Sequence, residues 1–388
     1  MSAKAAALAA LAATASFAQS SVGIVGVFDI GFKANSAPYT AAGTNASTNA
    51  VAQNGIATSA IKFVGTEDLG GGMKASFLAE INPNLVQSST SNQNYAFATD
   101  YSGTPFNGEQ YLGLSGGFGD VKLGVPNAGF FLALNNSNPF GTAMGSAYGA
   151  GGVSRLGTRA LGIVSGVASG TARIIRHERS IQYTTPSFSG FSATVTYAAL
   201  NDNTNNANPS NQDGYTDIAL NYSNGPLNVS FANAVNKFGA NTIPTLASNP
   251  YLTTNTGLSA NLANGDYTYN VLAGNYTFGT TTVYAGYTTT KSNGMTNAAV
   301  LEDATSWNLA AKYVMGQTDL LAGYTVRTSN IAGVNNASVL GLGANYNLSK
   351  RTAVYYRFEA ANANTNDAAA VVGGSVTNAS MVGVRHSF

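Results

Sequence analysis

Short runs in which apolar and polar residues alternate cover most of the chain. In the run 22–33, Ile24 and Phe28 fall on one side of an extended chain, and Asp29 and Lys33 fall on the other. A period of two indicates β-strands. We therefore predict about sixteen strands, at 22–33, 58–66, 73–82, 110–115, 121–125, 180–184, 191–199, 215–222, 227–237, 266–278, 281–290, 305–315, 318–328, 338–348, 352–361 and 376–388.

The connections between these runs alternate between short turns and long polar loops. Residues 223–225 and 316–317 are short turns, whereas 34–57 is a long loop. The glycine run 70–72 opens no helix and no Lys-Ser/Thr pair follows it, so it indicates a turn rather than a phosphate-binding loop. Short turns on one side and long loops on the other are typical of outer-membrane barrels.

Composition favours the same architecture. Charged residues make up 9% of the chain, against about 25% in soluble proteins, which argues against a soluble array of β-sandwiches. No apolar run after the first residues reaches the length of about 18 that a spanning helix needs. The 20 tyrosines, 18 phenylalanines and Trp307 suit the water–lipid interfaces. Because an open sheet edge is not viable in lipid, we predict an all-β fold, a closed antiparallel transmembrane β-barrel.

The first residues have the features of a secretory signal. Lys4 precedes the short apolar run 5–13, and residues 16–18 form a small-x-small cleavage site. We predict a signal peptide over 1–18 and a barrel domain over 19–388. Loss of Lys4 leaves 17 basic residues against 17 acidic ones, and the chain has no cysteine, so no disulfide framework supports the barrel.

The alternation stops in the segment 126–176. This segment is rich in Gly, Ala, Ser and Asn, has no Asp or Glu, and carries Arg155, Arg159, Arg173 and Arg176. Long loops without strands are usually functional or disordered. We predict that the segment folds into the pore and narrows it, and that its four positive charges favour anions, as basic rings do in other pores.

Alternation also sorts the charged residues of the predicted strands. A lipid-facing Arg or Lys at mid-depth costs about 2–4 kcal/mol, so these charges are expected to face the lumen. The candidate pore-lining residues are Lys62, Lys74, Glu80, Lys122, Lys312, Arg357, Glu359 and Arg385, joined by Arg176 and Glu178. The carboxylates of Asp29, Glu80, Glu178 and Glu359 would offset the basic segment if they lie opposite it.

Several stretches resemble the general porins of β-proteobacteria. They are Gln19-Ser20-Ser21-Val22, GTEDLGGGMK at 65–74, YLGLSGGFGDVKLG at 111–124, SIQYTTPSFSGFSATVTY at 180–197 and the terminal GVRHSF. The resemblance covers essentially all of 19–388. It implies a sixteen-stranded homotrimer with the third outer loop folded into each pore. It also implies that Phe388 is the terminal aromatic residue that the barrel-insertion machinery recognises.

This chain departs from the family pattern at the constriction. Where the family often has Pro-Glu-Phe-Gly, the chain has Asn138-Pro139-Phe140-Gly141, without a carboxylate beside the proline. The family's Leu-Gly-Arg is here Leu123-Gly124-Val125. In the stretch 59–65 two basic positions of the family are lost and Lys62 stands between them. Arg176 matches the family's arginine ahead of the sixth strand.

These observations predict an outer-membrane porin for passive diffusion of small hydrophilic solutes and inorganic ions, with a preference for anions. Expected partners are outer-membrane lipid and lipopolysaccharide, the insertion machinery and two further copies of the chain; no cofactor, metal or nucleic acid is expected. The alternatives are a substrate-specific channel and a structural or adhesive barrel. A sugar channel would need an aromatic track, whereas inward aromatics such as Tyr355 are scattered. With only His177 and His386, a catalytic triad or zinc site is not indicated.

Overall fold

The computed structural model is all-β apart from one short helix in the part of the chain that it describes. That part comprises residues 20–35, 48–86, 106–146, 174–200, 213–238, 265–294, 303–331, 336–363 and 377–388. The predicted signal peptide, 1–18, lies outside it. The helix is α1, Gly129–Asn135. The strands are β1 Ser21–Asn35, β2 Thr48–Gln53, β3 Ala60–Gly70, β4 Met73–Ile81, β5 Gln110–Gly116, β6 Gly119–Val125, β7 Ser180–Thr184, β8 Phe191–Leu200, β9 Asp213–Asn224, β10 Leu227–Phe238, β11 Gly265–Phe278, β12 Thr281–Asn293, β13 Asp303–Met315, β14 Thr318–Ser329, β15 Ala337–Asn347, β16 Thr352–Ala363 and β17 Thr377–Ser387.

The strands close into a barrel at β1. From β3 to β17 each strand pairs antiparallel with the next, and β1 pairs with β17 along one edge and with β2 and β3 along the other. The β1–β3 ladder ends at Val27↔Ala60, and the β1–β2 ladder begins at Ile30↔Gln53. Strands β2 and β3 therefore occupy one position end to end. The predicted closed antiparallel barrel of sixteen strands is confirmed.

The two faces of the wall differ in polarity. In β13, Trp307 and Leu309 are 46% and 60% exposed, whereas Ser306 and Asn308 between and beside them are buried. In β17, Val382 and Val384 are likewise exposed. The exposed apolar residues form the outer face of the barrel, as a lipid-facing wall requires. We call the opposite side, with the alternate polar residues, the inner face.

Short and long connections lie at opposite ends of the barrel. Gly70, Gly71 and Gly72 adopt φ angles of +79°, +60° and +79° in the β3–β4 turn. These left-handed conformations are accessible to glycine without steric cost, so the glycine run forms a turn as predicted. Ser21 and Phe388 lie at this same end, because β1 begins and β17 ends there.

Two elements were not predicted. Strand β2 lies inside the predicted loop 34–57, and helix α1 lies inside the segment 126–176, for which the sequence predicts no secondary structure. Among the described residues, no helix is long and apolar enough to cross a membrane.

Candidate permeation pathway

Hydrogen bonds to wall side chains hold α1 against the inner face. The helix has no side-chain N-cap of its own. Instead, the Phe130 N–H donates to Asp217 Oδ2 at 2.9 Å, and the Gly129 N–H donates to Thr196 Oγ1 at 3.4 Å. The first N–H groups of a helix lack partners within the helix. A carboxylate of β9 and a hydroxyl of β8 therefore supply what a local cap would otherwise provide.

The apolar side of α1 packs against inward side chains of the wall. Phe130 and Leu134 are buried in one cluster with Ile174, Tyr269 and Val271. The ring centroids of Phe130 and Tyr269 are 6.0 Å apart. Because Tyr269 and Val271 alternate with outward residues of β11, the helix lies on the lumen side of the wall.

Beyond α1, the chain follows the inner face from β10 to β13. The Asn136 side-chain amide donates to Ser230 Oγ at 2.6 Å, and the Asn275 amide donates to the Asn136 carbonyl at 3.2 Å. The Asn308 amide donates to the Ser137 carbonyl. The backbone carbonyls of Asn136 and Ser137 thus accept hydrogen bonds from inward asparagines of two separate strands, β11 and β13.

The motif Asn138-Pro139-Phe140-Gly141 forms a turn that contacts the inner face at β16. Asn138 Oδ1 accepts a hydrogen bond from the Phe140 N–H at 2.9 Å, and Gly141 has a φ of +59°. The Phe140 ring is buried, and the guanidinium carbon of Arg357 lies 5.7 Å from its centroid, within the range of cation–π contacts. Arg357 is itself buried, so it contacts this motif rather than lying open to the pore.

The last described residues before the gap at 147–173 reach β16. Glu359 is buried, and its Oε2 accepts a hydrogen bond from the Gly145 N–H at 2.6 Å. Asp217 is also buried and holds the start of α1. The two wall carboxylates are therefore occupied by backbone N–H groups of the stretch 126–146, one near each of its ends.

A second group of charges lies where the two ends of the segment 126–176 meet, at Asn127 and Arg176. Lys62 Nζ is 3.0 Å from Glu80 Oε2. Arg176 Nη1 donates to Asn127 Oδ1 at 3.3 Å, and the Asn127 side chain donates to Glu109 Oε2 at 2.9 Å. Burial lowers the pKa of Arg176, and the negative charges of Glu80 and Glu109 oppose that shift. The structure thus brings together three predicted residues, Lys62, Glu80 and Arg176.

Two further lysines pair with carboxylates toward the short turns. Lys122 Nζ lies 3.6 Å from Asp120 Oδ2 and 4.7 Å from the centroid of the Tyr111 ring. Lys312 Nζ lies 3.3 Å from Asp319 Oδ2. Both lysines alternate with exposed apolar residues of their strands and so occupy the inner face.

The other predicted residues are dispersed. Lys74 is exposed beside the β3–β4 turn, Glu178 is exposed just before β7, and Arg385 stands opposite Asp29 in the β1–β17 ladder. The remaining predicted arginines lie outside the described residues: Arg155, Arg159 and Arg173.

Sequence reasoning missed Asp217, Glu109 and the inward asparagines. Asp217 alternates with exposed Ile218 in β9, so the sequence could predict that Asp217 faces inward. Its role could not be predicted, because it depends on α1. It also accepts a hydrogen bond from the Tyr215 hydroxyl at 2.9 Å, and the Tyr215 ring stacks on His177 at 3.8 Å. In the described part of the chain, no group of three or more His, Cys, Asp or Glu residues could hold a metal ion.

A closed barrel with an apolar outer face, a polar inner face and an internal segment tied to its wall is the architecture of a β-barrel pore protein. The chain matches the Gram-negative porin family over residues 5–368 and belongs to that family. Family and fold place it in the outer membrane of a Gram-negative bacterium, as predicted. Membership also agrees with the expectation that the chain is not an enzyme.

Individual relatives are similar over different shares of the chain. It is 29% identical over 184 residues to the major outer membrane protein P.IB of Neisseria gonorrhoeae; the match covers 47% of this chain and 43% of that protein, so it spans less than half of the relative's length. The anion-selective porin from Comamonas acidovorans has the same fold, with a TM-score of 0.71, 24% identity, and coverage of 95% of this chain and 100% of that one. The trimer form of OmpT from Vibrio cholerae aligns with a TM-score of 0.62, 16% identity, and coverage of 95% and 99%.

Proposed function

We propose that the protein is a general porin, a water-filled channel for passive diffusion of small hydrophilic solutes and inorganic ions, with a preference for anions. The segment 126–176 narrows the pore. Its described parts, 126–146 and 174–176, contact inward side chains from β7 to β16. At the start of the segment, Asn127 also binds Glu109, just before β5.

The observation that carries the anion preference is the unequal exposure of opposite charges on the inner face. In the Lys62–Glu80 pair the lysine side chain is 35% exposed and the carboxylate 8%, and in the Lys312–Asp319 pair the values are 33% and 14%. The Lys122–Asp120 pair has the reverse order, 24% and 34%. Asp217 and Glu359 are turned toward backbone N–H groups. Across these groups, lysine is therefore more accessible to water than carboxylate.

Four arginines of the segment 126–176, against no acidic residue, add to this bias. The name of the Comamonas acidovorans structure describes that protein as anion-selective, which agrees with the proposed direction. Charged linings act on permeant ions through the local potential. The preference should therefore weaken as salt rises, because the Debye length falls from about 30 Å at 0.01 M to about 3 Å at 1 M.

Planar-bilayer recording of the purified barrel tests both parts of the proposal. We expect stepwise increases in ionic current. In a KCl gradient, we expect a zero-current potential whose sign shows that chloride is more permeant than potassium. A barrel that folds and does not conduct would be structural or adhesive instead. A conducting barrel with a potassium-selective potential would retain the channel and refute the anion preference.

We further propose that the chain assembles as a homotrimer in contact with outer-membrane lipid and lipopolysaccharide. The supporting observations are the broad exposed apolar outer face, which includes Val22 at 77% and Phe32 at 56% exposure, and the trimer form recorded for OmpT of Vibrio cholerae. Native mass spectrometry of the detergent-extracted protein would give its copy number and any lipid that it retains.

We also propose that residues 1–18 are a cleaved signal peptide and that Phe388 is read by the barrel-insertion machinery. The mass of the protein purified from outer membranes tests the first of these. A chain that begins at Gln19 is the expected result, and a chain that retains Lys4 would contradict it.

A further inference from the structure

The connection between β2 and β3 crosses the inner face of β1. We call residues 54–57 of this connection the inward turn. Asp29, which is fully buried on the inner face, accepts hydrogen bonds at Oδ2 from the N–H groups of Ile56 at 2.6 Å and Ala57 at 2.7 Å. Its backbone carbonyl accepts from the Asn54 N–H at 3.1 Å. Asp29 therefore accepts hydrogen bonds from three backbone N–H groups of the inward turn.

The inward turn extends past β1 to strands on its other side. Asp29 Oδ1 accepts a hydrogen bond from the hydroxyl of Tyr355 in β16. A methyl group placed on Gly55 would lie 2.3 Å from that hydroxyl oxygen and 2.8 Å from the Met381 sulfur. Since Tyr355 and Met381 are buried inward residues of β16 and β17, the turn lies over the lumen side of three wall strands.

The inward turn also belongs to the cluster that contains the end of the other internal stretch. Ile56 packs against a buried cluster that includes Met144, Tyr355 and Met381. The neighbour of Met144, Gly145, is held by Glu359. The stretch 126–146 and the inward turn therefore share this part of the inner face, where Glu359 holds the first and Asp29 holds the second.

We propose that the inward turn is a second element that narrows the pore, and that Asp29 is its positioning residue. This inference rests on the proposed channel function. A carboxylate has two acceptor oxygens, and here one serves Tyr355 while the other serves both N–H groups of the turn. An alanine at this position removes both acceptor oxygens, so the two N–H groups of the turn and the Tyr355 hydroxyl lose their shared partner. Releasing the turn from the wall then lets the width of the path fluctuate.

Asp29→Ala tests the proposal, and Asp319→Ala is the matched control. Asp319 lies on the same face and pairs with Lys312, so its replacement removes an equal charge from the lumen. Recording at about 1 M KCl, where the Debye length is about 3 Å, minimises the effect of the lost charge. We expect greater open-channel current noise for Asp29→Ala than for the wild type and the control, and a shifted size cut-off for neutral polyethylene glycols. Wild-type noise and polymer cut-off in Asp29→Ala would overturn the proposal while leaving the channel function intact.

Two further measurements distinguish a folding defect from a loss of positioning. In Gly55→Ala the added methyl group meets Tyr355 and Met381 of the wall, which pushes the turn toward the lumen without altering Asp29, so the conductance should fall. If Asp29→Ala fails to fold, an unchanged conductance in Gly55→Ala overturns the proposal. Hydrogen–deuterium exchange in detergent does not depend on conduction. The amides of Ile56 and Ala57 should be protected in the wild type and exchange faster in Asp29→Ala. Equal protection in both would refute the positioning role even if no channel activity were found.

Discussion

Phe388 and Gly26 join the two ends of the barrel sheet through a pair of backbone hydrogen bonds. The Phe388 N–H donates to the Gly26 carbonyl at 3.0 Å, and the Gly26 N–H donates to the Phe388 carbonyl at 2.9 Å. The Phe388 ring makes an edge contact with Phe28, with centroids 5.2 Å apart. A side chain at position 26 would lie 2.5 Å from that ring. The predicted assembly signal is therefore also part of the seam that closes the barrel.

This double role can be separated by two substitutions. Phe388→Leu and Phe28→Leu each remove the same aromatic pair, which is worth about 0.5–1.5 kcal/mol beyond area burial, but only Phe388→Leu removes the terminal aromatic. We expect outer-membrane yield to fall in Phe388→Leu and to stay close to wild type in Phe28→Leu, while both refolded barrels lose similar stability in urea. An equal fall in yield for both variants would assign the effect to seam packing.

Asp217 should control the stability of α1 in the pore. Asp217→Ala removes the acceptor of the Phe130 N–H, the Thr196 N–H and the Tyr215 hydroxyl. A buried donor left unpaired costs about 1–3 kcal/mol, so the urea midpoint should fall and channel noise should rise. Asp217→Asn, which keeps one acceptor oxygen and the side-chain shape, should show a smaller effect on both readouts. Equal losses in the two variants would mean that side-chain volume and one acceptor oxygen are not enough, and that the helix needs the full carboxylate; no loss in either variant would contradict the role of Asp217.

The wall could be predicted from the sequence because each strand carries its own alternating pattern. The predicted run 227–237 corresponds to Leu227–Phe238, and the run 281–290 to Thr281–Asn293. Strand β2 has only one large apolar residue, Val51, and it forms because β1 offers an edge for pairing. Closure itself followed from the one-sided apolar face, since nothing else in the chain could cover so many strands.

The internal stretch could not be predicted, because its structure depends on partners far away in sequence. Helix α1 spans seven residues, Gly129–Asn135, which is too short for a helical period to be recognised. Its start is held by Asp217, which is 87 residues from Phe130. Glu359 is 214 residues from Gly145. Alternation indicated that these carboxylates face inward, but it could not indicate which backbone N–H groups they bind.

Neutralising Arg155 and Arg159 together should weaken the anion preference without unfolding the barrel. Neither residue belongs to a strand predicted from the sequence, so Arg155→Gln with Arg159→Gln should leave the thermal transition unchanged. The zero-current potential in a KCl gradient should move toward zero, most clearly at low ionic strength. Lys237→Gln provides a control, because Lys237 is exposed and lies on the same side of β10 as the outward residue Phe231. No shift in the double variant would show that the wall, and not this segment, sets selectivity.

At the Lys62–Glu80 pair, single substitutions can shift the electrostatic potential of the lumen in either direction. Glu80→Gln keeps a side-chain oxygen that can accept from the Asn82 amide, now at 2.6 Å from Glu80 Oε1, but removes the negative charge 3.0 Å from Lys62. Lys62 and Arg176 then lose a neighbouring acid, so the zero-current potential should shift further toward chloride. Lys62→Gln leaves Glu80 with less compensation and should shift the potential toward potassium. Because the two substitutions change net charge by one unit in opposite directions, their shifts should have opposite signs and shrink together as salt rises. Shifts of the same sign would indicate that a change in pore shape outweighs charge, and would place the selectivity filter elsewhere.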